Sequence, residues 1–197
     1  VTGRPVPVRL LGAHPLDELV AHIRALPRTG RAVCLVAIDG RSGSGKSTLA
    51  QALADALPPA RVIDGDDFYG GGVDLRHDTP AERAAACIDW RRQREVLTAL
   101  RAGRPATYRG FDWDAFDGSL CATETRVAPA PLVVLEGVYS ARAELADLLD
   151  LRAVLGVDDA LREQRLRARE GGIGPWERQW IEAEVPYFER LLAGVER

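Results

Sequence analysis

Two kinds of apolar pattern alternate along this chain. Residues 33–38 and 132–135 are unbroken apolar runs, as expected of strands covered on both faces of a parallel sheet. Residues 61–64 and 153–157 read as two further short strands. Stretches of helical period lie between them. In residues 47–57, Leu49, Leu53 and Leu57 share one face, and Pro58-Pro59 stops the helix. Thr79-Pro80-Ala81-Glu82 supplies an N-cap, a first-turn proline and a capping-box glutamate. The helix it opens is predicted to run to about Leu100 and to stop near Gly103 and Pro105. Helices are also predicted over 16–26, 159–170 and 175–193, the last kinked near Pro186. Residues 106–127 are rich in Gly, Asp and aromatic side chains, and are expected to form strands and loops beside the core.

Strands alternating with helices imply an α/β fold: a mainly parallel sheet with right-handed crossovers. At 197 residues and 46% hydrophobic content, one domain spanning 1–197 is expected, with residues 1–30 as an N-terminal extension carrying a helix. Ligands of such sheets sit at the carboxyl ends of the strands. The loop at Gly40, the segment around Asp66 and Glu136 each follow a strand directly, so all three are expected on one edge.

Composition narrows the partners. A net charge of −3 leaves no basic surplus to neutralise a nucleic acid polymer. No apolar run is long enough for a membrane span. Pro5 and Pro7 interrupt the first ten residues and Arg4 and Arg9 flank them, so they do not read as a secretory leader. The chain has no methionine, so Val1 is read as the start of a fragment or processed chain. Cys34, Cys87 and Cys121 are odd in number and lack metal spacing, and are expected as free thiols in a reducing cytoplasm.

Lys46 is the only lysine in the sequence; every other Lys+Arg position is arginine. It stands in Gly40-Arg41-Ser42-Gly43-Ser44-Gly45-Lys46-Ser47, a full match to the phosphate-binding pattern GxxxxGK[ST]. A compact ammonium on a flexible stem suits a phosphate there better than a planar guanidinium. Gly43 and Gly45 permit the backbone angles by which loop amides wrap an anion, and the following helix turns its positive end toward it. Lys46 is expected on the β- and γ-phosphates, and the Ser47 hydroxyl on Mg²⁺. Glu136 ends a wholly apolar strand, where a carboxylate can support the Mg²⁺ shell. Asp66 or Asp67, beside Phe68 and Tyr69, could accept a proton from an acceptor hydroxyl. Arg162, Arg165 and Arg169 fall at i, i+3 and i+7 on one helix face; such a stripe can clamp phosphates or form a solvated face paired with Glu163 and Glu170.

Four stretches in this order resemble the uridine kinase/phosphoribulokinase family of P-loop kinases. They are residues 40–47 with Thr48; Asp66-Asp67-Phe68-Tyr69; Val133-Val134-Leu135-Glu136-Gly137; and Arg162, Arg165 and Arg169 with Glu170. Ile88-Asp89-Trp90, Phe111-Asp112-Trp113 and Pro186-Tyr187-Phe188 are weaker echoes, and the resemblance spans about residues 32–192. It implies a three-layer α/β/α P-loop fold, with 104–128 as a peripheral insert for the acceptor and 159–175 as a lid. It implies phosphorylation of a small-molecule hydroxyl by ATP (or GTP) with Mg²⁺, by a monomer or homo-oligomer. Asp66 would then be the base, with Lys46, Glu136 and Arg169 completing the catalytic set. Gly40, Ser42, Gly43, Ser44, Gly45, Lys46, Ser47, Thr48, Arg165 and Arg169 would bind the nucleotide. Tyr69, Phe111 and Asp112 would join Asp66 around the acceptor.

The sequence departs from that family in places. Phe116 stands near the position where uridine kinases carry a pyrimidine-reading histidine, and Arg83 near their ribose-binding acid. A last strand usually follows the final helix, and its absence predicts a sheet one edge strand short. A switch GTPase is excluded, because its guanine-reading Asn-Lys-x-Asp needs a second lysine. A nucleotide-binding regulator with lost or altered catalysis is the alternative to a kinase whose acceptor is pantothenate, nicotinamide riboside or another nucleoside or sugar.

Overall fold

The computed structural model describes residues 5–27, 30–193 and 195. Of the N-terminal extension expected over 1–30, residues 1–4, 28 and 29 therefore lie outside the described ones. In chain order the elements are β1 (Val8–Leu10), α1 (Pro15–Ala25), β2 (Cys34–Asp39), α2 (Lys46–Ala56) and β3 (Ala60–Asp64). A 3-10 turn (Gly65–Phe68) leads to α3 (Pro80–Ala86), α4 (Trp90–Arg101), β4 (Ala106–Tyr108) and β5 (Thr125–Val127). Then follow β6 (Leu132–Glu136), β7 (Leu151–Leu155), α5 (Asp159–Glu170) and α6 (Pro175–Leu191).

Five strands form one parallel sheet in the order β1-β7-β2-β6-β3. Successive side chains of a strand point to opposite faces, so each apolar run feeds two cores. Leu35, Ala37, Ile63, Val133 and Leu135 pack with residues of α3, α4 and α6 on one face. Val36, Ile38, Val134 and Ala153 pack with α1 and α2 on the other. This is the expected three-layer arrangement. Residues 106–127 contribute β4 and β5, a separate antiparallel pair.

Two expectations are corrected. The single helix predicted over 79–100 is two. Its capping box at Thr79 forms as read, but α3 ends at Ala86. Ile88 then bridges Tyr69, Gly70 N donates to Cys87 O (2.9 Å) and Asp89 N to Phe68 O (2.8 Å). The Asp89 carboxylate restarts the helix as N-cap of α4, accepting from Arg91 N and Arg92 N. Nor is the sheet left without a strand beyond β7. The short β1 pairs there in parallel, Leu10 opposite Leu155, so the chain's beginning fills the edge that its end was expected to supply. Pro186 is accommodated within α6, which continues to Leu191.

Candidate active site

The loop between β2 and α2 is held from beneath by the residue that precedes it. Asp39 is fully buried, and its carboxylate accepts from Gly40 N (2.7 Å), Tyr139 N (3.0 Å), Ala141 N (2.9 Å) and Tyr187 Oη (2.5 Å). Burial pushes its pKa up to about 6 against the pull of these donors. Gly43 has φ +81°, and a Cβ there would stand 2.7 Å from the Arg162 carbonyl oxygen. Both the backbone angle and the close approach of α5 therefore require glycine. Gly45, at φ +97°, is the N-cap of α2. Lys46 opens that helix, is buried, and lays its ammonium across the loop to Arg41 O at 3.3 Å.

Strand register assembles the acidic side. Ile38 lies opposite Glu136, and Glu136 opposite Asp64, so both carboxylates end their strands beside the loop. Glu136 is buried; that burial first, and Asp64 second, raise its pKa to about 7, while the Ser47 hydroxyl bonded to it pulls the other way. Asp66 follows in the 3-10 turn, its backbone N–H donating to Asp64 Oδ1 at 2.9 Å. Its carboxyl stays solvent-accessible at the cavity. The surrounding protein raises its pKa first and Asp64 adds to this, while Lys46 and Arg169 oppose.

These groups line one cavity of about 440 Å³. Ser42, Lys46, Ser47, Asp66, Glu136 and Arg169 are among the residues at its loop side, and Tyr69, Trp113, Trp176 and Trp180 form an aromatic wall. Most residues singled out in the sequence thus meet in one place. Some stand elsewhere. Thr48 is exposed on α2 and does not line the cavity. Phe111 is buried behind Tyr69 (centroids 4.9 Å apart), and Asp112 caps a turn by accepting from Asp114 N and Ala115 N. Within the segment 111–113 it is Trp113 that reaches the cavity.

The arginine stripe divides its tasks. Arg162 is buried and donates to Ser42 O (3.3 Å) and Asp159 Oδ1 (3.1 Å). Arg165 donates to Ser44 O (3.2 Å). Both tie α5 to the loop, and Arg169 is the one of the three that lines the cavity. On the opposite side α6 grips the same loop. Glu184, buried, accepts from Ser42 N (3.0 Å), from the Ser42 hydroxyl and from Arg41 Nε (3.4 Å). Sequence reasoning did not single out Asp39, Asp64, Glu184 or the tryptophans of α6. Trp176 and Trp180 carried a usable signal, since i and i+4 share a helix face. Glu184 carried none, because its partner lies across the fold.

No protein-family model matches the chain. Among curated proteins, it is 28% identical over 137 residues to a uridine kinase of Streptococcus pyogenes, covering 65% of this chain. The match spans 64% of that relative's own length. Among solved structures, a candidate fructose transport system kinase of a Silicibacter species superposes with a TM-score of 0.66 at 27% identity, covering 90% of this chain and 94% of that one. A candidate uridine kinase of Bacillus stearothermophilus superposes at 0.60 and 20% identity, covering 88% and 93%, which speaks to the fold alone. Among the described residues no helix is long and apolar enough to cross a membrane. By sequence and by fold, the chain resembles the uridine-kinase-like members of the P-loop kinases.

Proposed function

We propose that the chain is an ATP-dependent small-molecule kinase that transfers the γ-phosphoryl group to a hydroxyl of a nucleoside or related metabolite. The observation that carries this reading is that Asp66 lines the same cavity as Lys46, Glu136 and Arg169, with an aromatic wall opposite. A regulator that only binds nucleotide has no need of a carboxylate between phosphate loop and acceptor wall. In the transfer, the acceptor oxygen attacks the γ-phosphorus, the bond to the β-phosphate oxygen breaks, ADP leaves, and the hydroxyl proton passes to Asp66. Its raised pKa brings Asp66 closer to the operating pH, which favours a base. An acceptor seated against the aromatic wall would exclude water, the competing acceptor.

The residues also fit a magnesium ion. Ser47 and Glu136 offer hard oxygen donors, and the desolvated carboxyl of Glu136 would gain from a cation beside it. Among the described residues no group of three His, Cys, Asp or Glu side chains could hold a metal alone. Phosphate oxygens and water would complete the shell, as is usual for Mg²⁺. Bound there, the ion would neutralise charge on the transferred group. Free Cys34, Cys87 and Cys121 suit a reducing cytoplasm.

Asp66→Asn is expected to lower kcat by roughly 10²–10⁴-fold while ATP still binds. Release of ADP in the presence of candidate acceptors, beside a nucleotide titration, measures both. Unchanged turnover would remove Asp66 from the reaction. ATP binding with no acceptor-dependent ADP release would favour the regulatory alternative.

A further inference from the structure

Arg41 and Ser44 belong to the phosphate loop but do not line the candidate active site. They line a second cavity of about 200 Å³, which shares no lining residue with the first. Arg9 of β1 and Asp159 and Arg162 of α5 join them there, over an apolar floor that includes Val154 and Phe188. The lining carries three guanidinium groups against one carboxylate, Asp159. That carboxylate is shared: its Oδ1 accepts from Arg41 Nη1 and from Arg162 Nε, each at 3.1 Å. Arg41 Nε turns to Glu184 (3.4 Å), and Arg162 Nη1 to Ser42 O (3.3 Å). Among the described residues, Nη2 of Arg41, Nη2 of Arg162 and the whole Arg9 guanidinium have no hydrogen-bond or ion-pair partner. The Ser44 hydroxyl is also unpartnered, on a residue only 3% exposed. Gly40 leaves room beside it, since a Cβ there would stand 2.8 Å from Ser44 Oγ.

A guanidinium offers donors and no acceptor. A ligand for this lining must therefore be negatively charged and rich in acceptors. A nucleobase or a sugar brings donors of its own, and Asp159, twice bonded and with its side chain 75% exposed, is the one carboxylate to receive them. Size narrows the choice further. Pockets for drug-sized molecules run to roughly 300–1,000 Å³, so this smaller space suits an ion or a single phosphate group. A carboxylate presents its oxygens in one plane. A tetrahedral oxyanion presents acceptors in four directions, as guanidinium groups from three separate elements and a hydroxyl require. We propose that this cavity is a second anion site, which takes inorganic phosphate or the phosphate group of a small phosphomonoester. The site is coupled to the loop through shared residues. Arg41 and Ser44 are part of the loop, and Arg162 holds its Ser42 carbonyl. An ion that draws on Arg41 and Arg162 is therefore felt where the nucleotide binds, and the nucleotide is felt by the ion. Nothing in this requires transfer to an acceptor, so the site does not depend on the kinase reading above.

The test is run with the loop already filled, because the loop itself binds phosphate. Inorganic phosphate is titrated calorimetrically into the full chain saturated with the non-hydrolysable analogue β,γ-imido-ATP and Mg²⁺, with glycerol 1-phosphate in a parallel arm. A single equivalent of phosphate is expected to bind. Arg9→Gln is expected to weaken it about tenfold, with Arg9→Lys in between because the charge survives. Both variants are expected to bind imido-ATP as the wild type does when phosphate is absent, which also reports an intact fold. Tighter binding of glycerol 1-phosphate names a phosphomonoester as the ligand, and tighter binding of phosphate names the free ion. No uptake of either by the loaded chain would overturn the proposal, as would uptake that Arg9→Gln leaves unchanged. Loss of imido-ATP affinity in Arg9→Gln at an unchanged urea midpoint would assign the cavity to the nucleotide and overturn it too. None of these results bears on whether Asp66 takes a proton from an acceptor, so the two readings fail separately.

Discussion

Asp39 ends β2 with a carboxylate sealed from water, and its donors come from three places: the loop, the segment after β6, and α6. It does not itself line the cavity, yet it sets where the loop leaves the sheet. Its pKa is raised from the ordinary 3.8 to about 6, because burial outweighs those donors. A carboxyl raised on folding binds its proton more tightly folded than unfolded. Its contribution to stability is whole below about pH 4 and is lost as pH rises through 6. The stability difference between wild type and Asp39→Asn should therefore shrink by about 1–3 kcal/mol between pH 4 and 6.5. Urea unfolding of both proteins across that range measures it. A difference that grows with pH would mean that the four donors outweigh burial. Asp39 adjoins the loop motif but lies outside its pattern, which is why no spacing rule exposes it. Asp66 and Glu136 were legible for the converse reason: each directly follows an apolar strand whose end must lie at the ligand edge.

At the scale of elements, α6 spans the whole cavity. Trp176 and Trp180 stand at its aromatic wall, Glu184 holds the loop at Ser42 and Tyr187 holds Asp39. One helix thus reaches both the loop and the aromatic wall. Glu184→Ala would strip the Ser42 amide, the Ser42 hydroxyl and Arg41 of a shared charged acceptor at once. Charge-assisted hydrogen bonds are worth about 1.5–3 kcal/mol each when lost. We expect ATP to bind roughly tenfold more weakly to Glu184→Ala, with Glu184→Gln in between because one acceptor oxygen survives. Fluorescence titration with ATP decides; equal affinity in all three proteins would confine Glu184 to folding. The sequence announced α6 through its apolar period, and most central elements likewise. It did not announce the break between α3 and α4, because the helix is interrupted by a strand-like bridge from Ile88 to Tyr69, and such pairing has no local signature. The cap at Asp89 is visible only once the break is known.

For the whole molecule, the decisive joint is between the start of the chain and its last strand. Three residues of β1 close the edge of the sheet beside β7, where Gly156 N donates to Leu10 O (3.0 Å); just ahead of the strand, Arg152 donates to Pro5 O (3.1 Å), 147 positions away in sequence. So short a strand gives almost no periodic signal, and its pairing is fixed by what β7 leaves uncovered. The joint also reaches the candidate active site. Gly40 opens the phosphate loop against β7, where an added Cβ would sit 2.6 Å from Leu155 O, and Leu155 is the residue paired with Leu10. Leu10 has no exposed surface and packs in the same core as Val36 and Ile38 of the strand that carries the loop. Leu10→Ala should therefore cost about 2–5 kcal/mol, the range for a leucine emptied from a packed interior. Val8, only partly buried on the same strand, should cost under about 1 kcal/mol when cut to alanine, because the space it leaves opens to water. Urea midpoints at constant slope read both values. If the two substitutions prove equally mild, β1 is an ornament on the edge, and the sheet that positions the loop is complete without it.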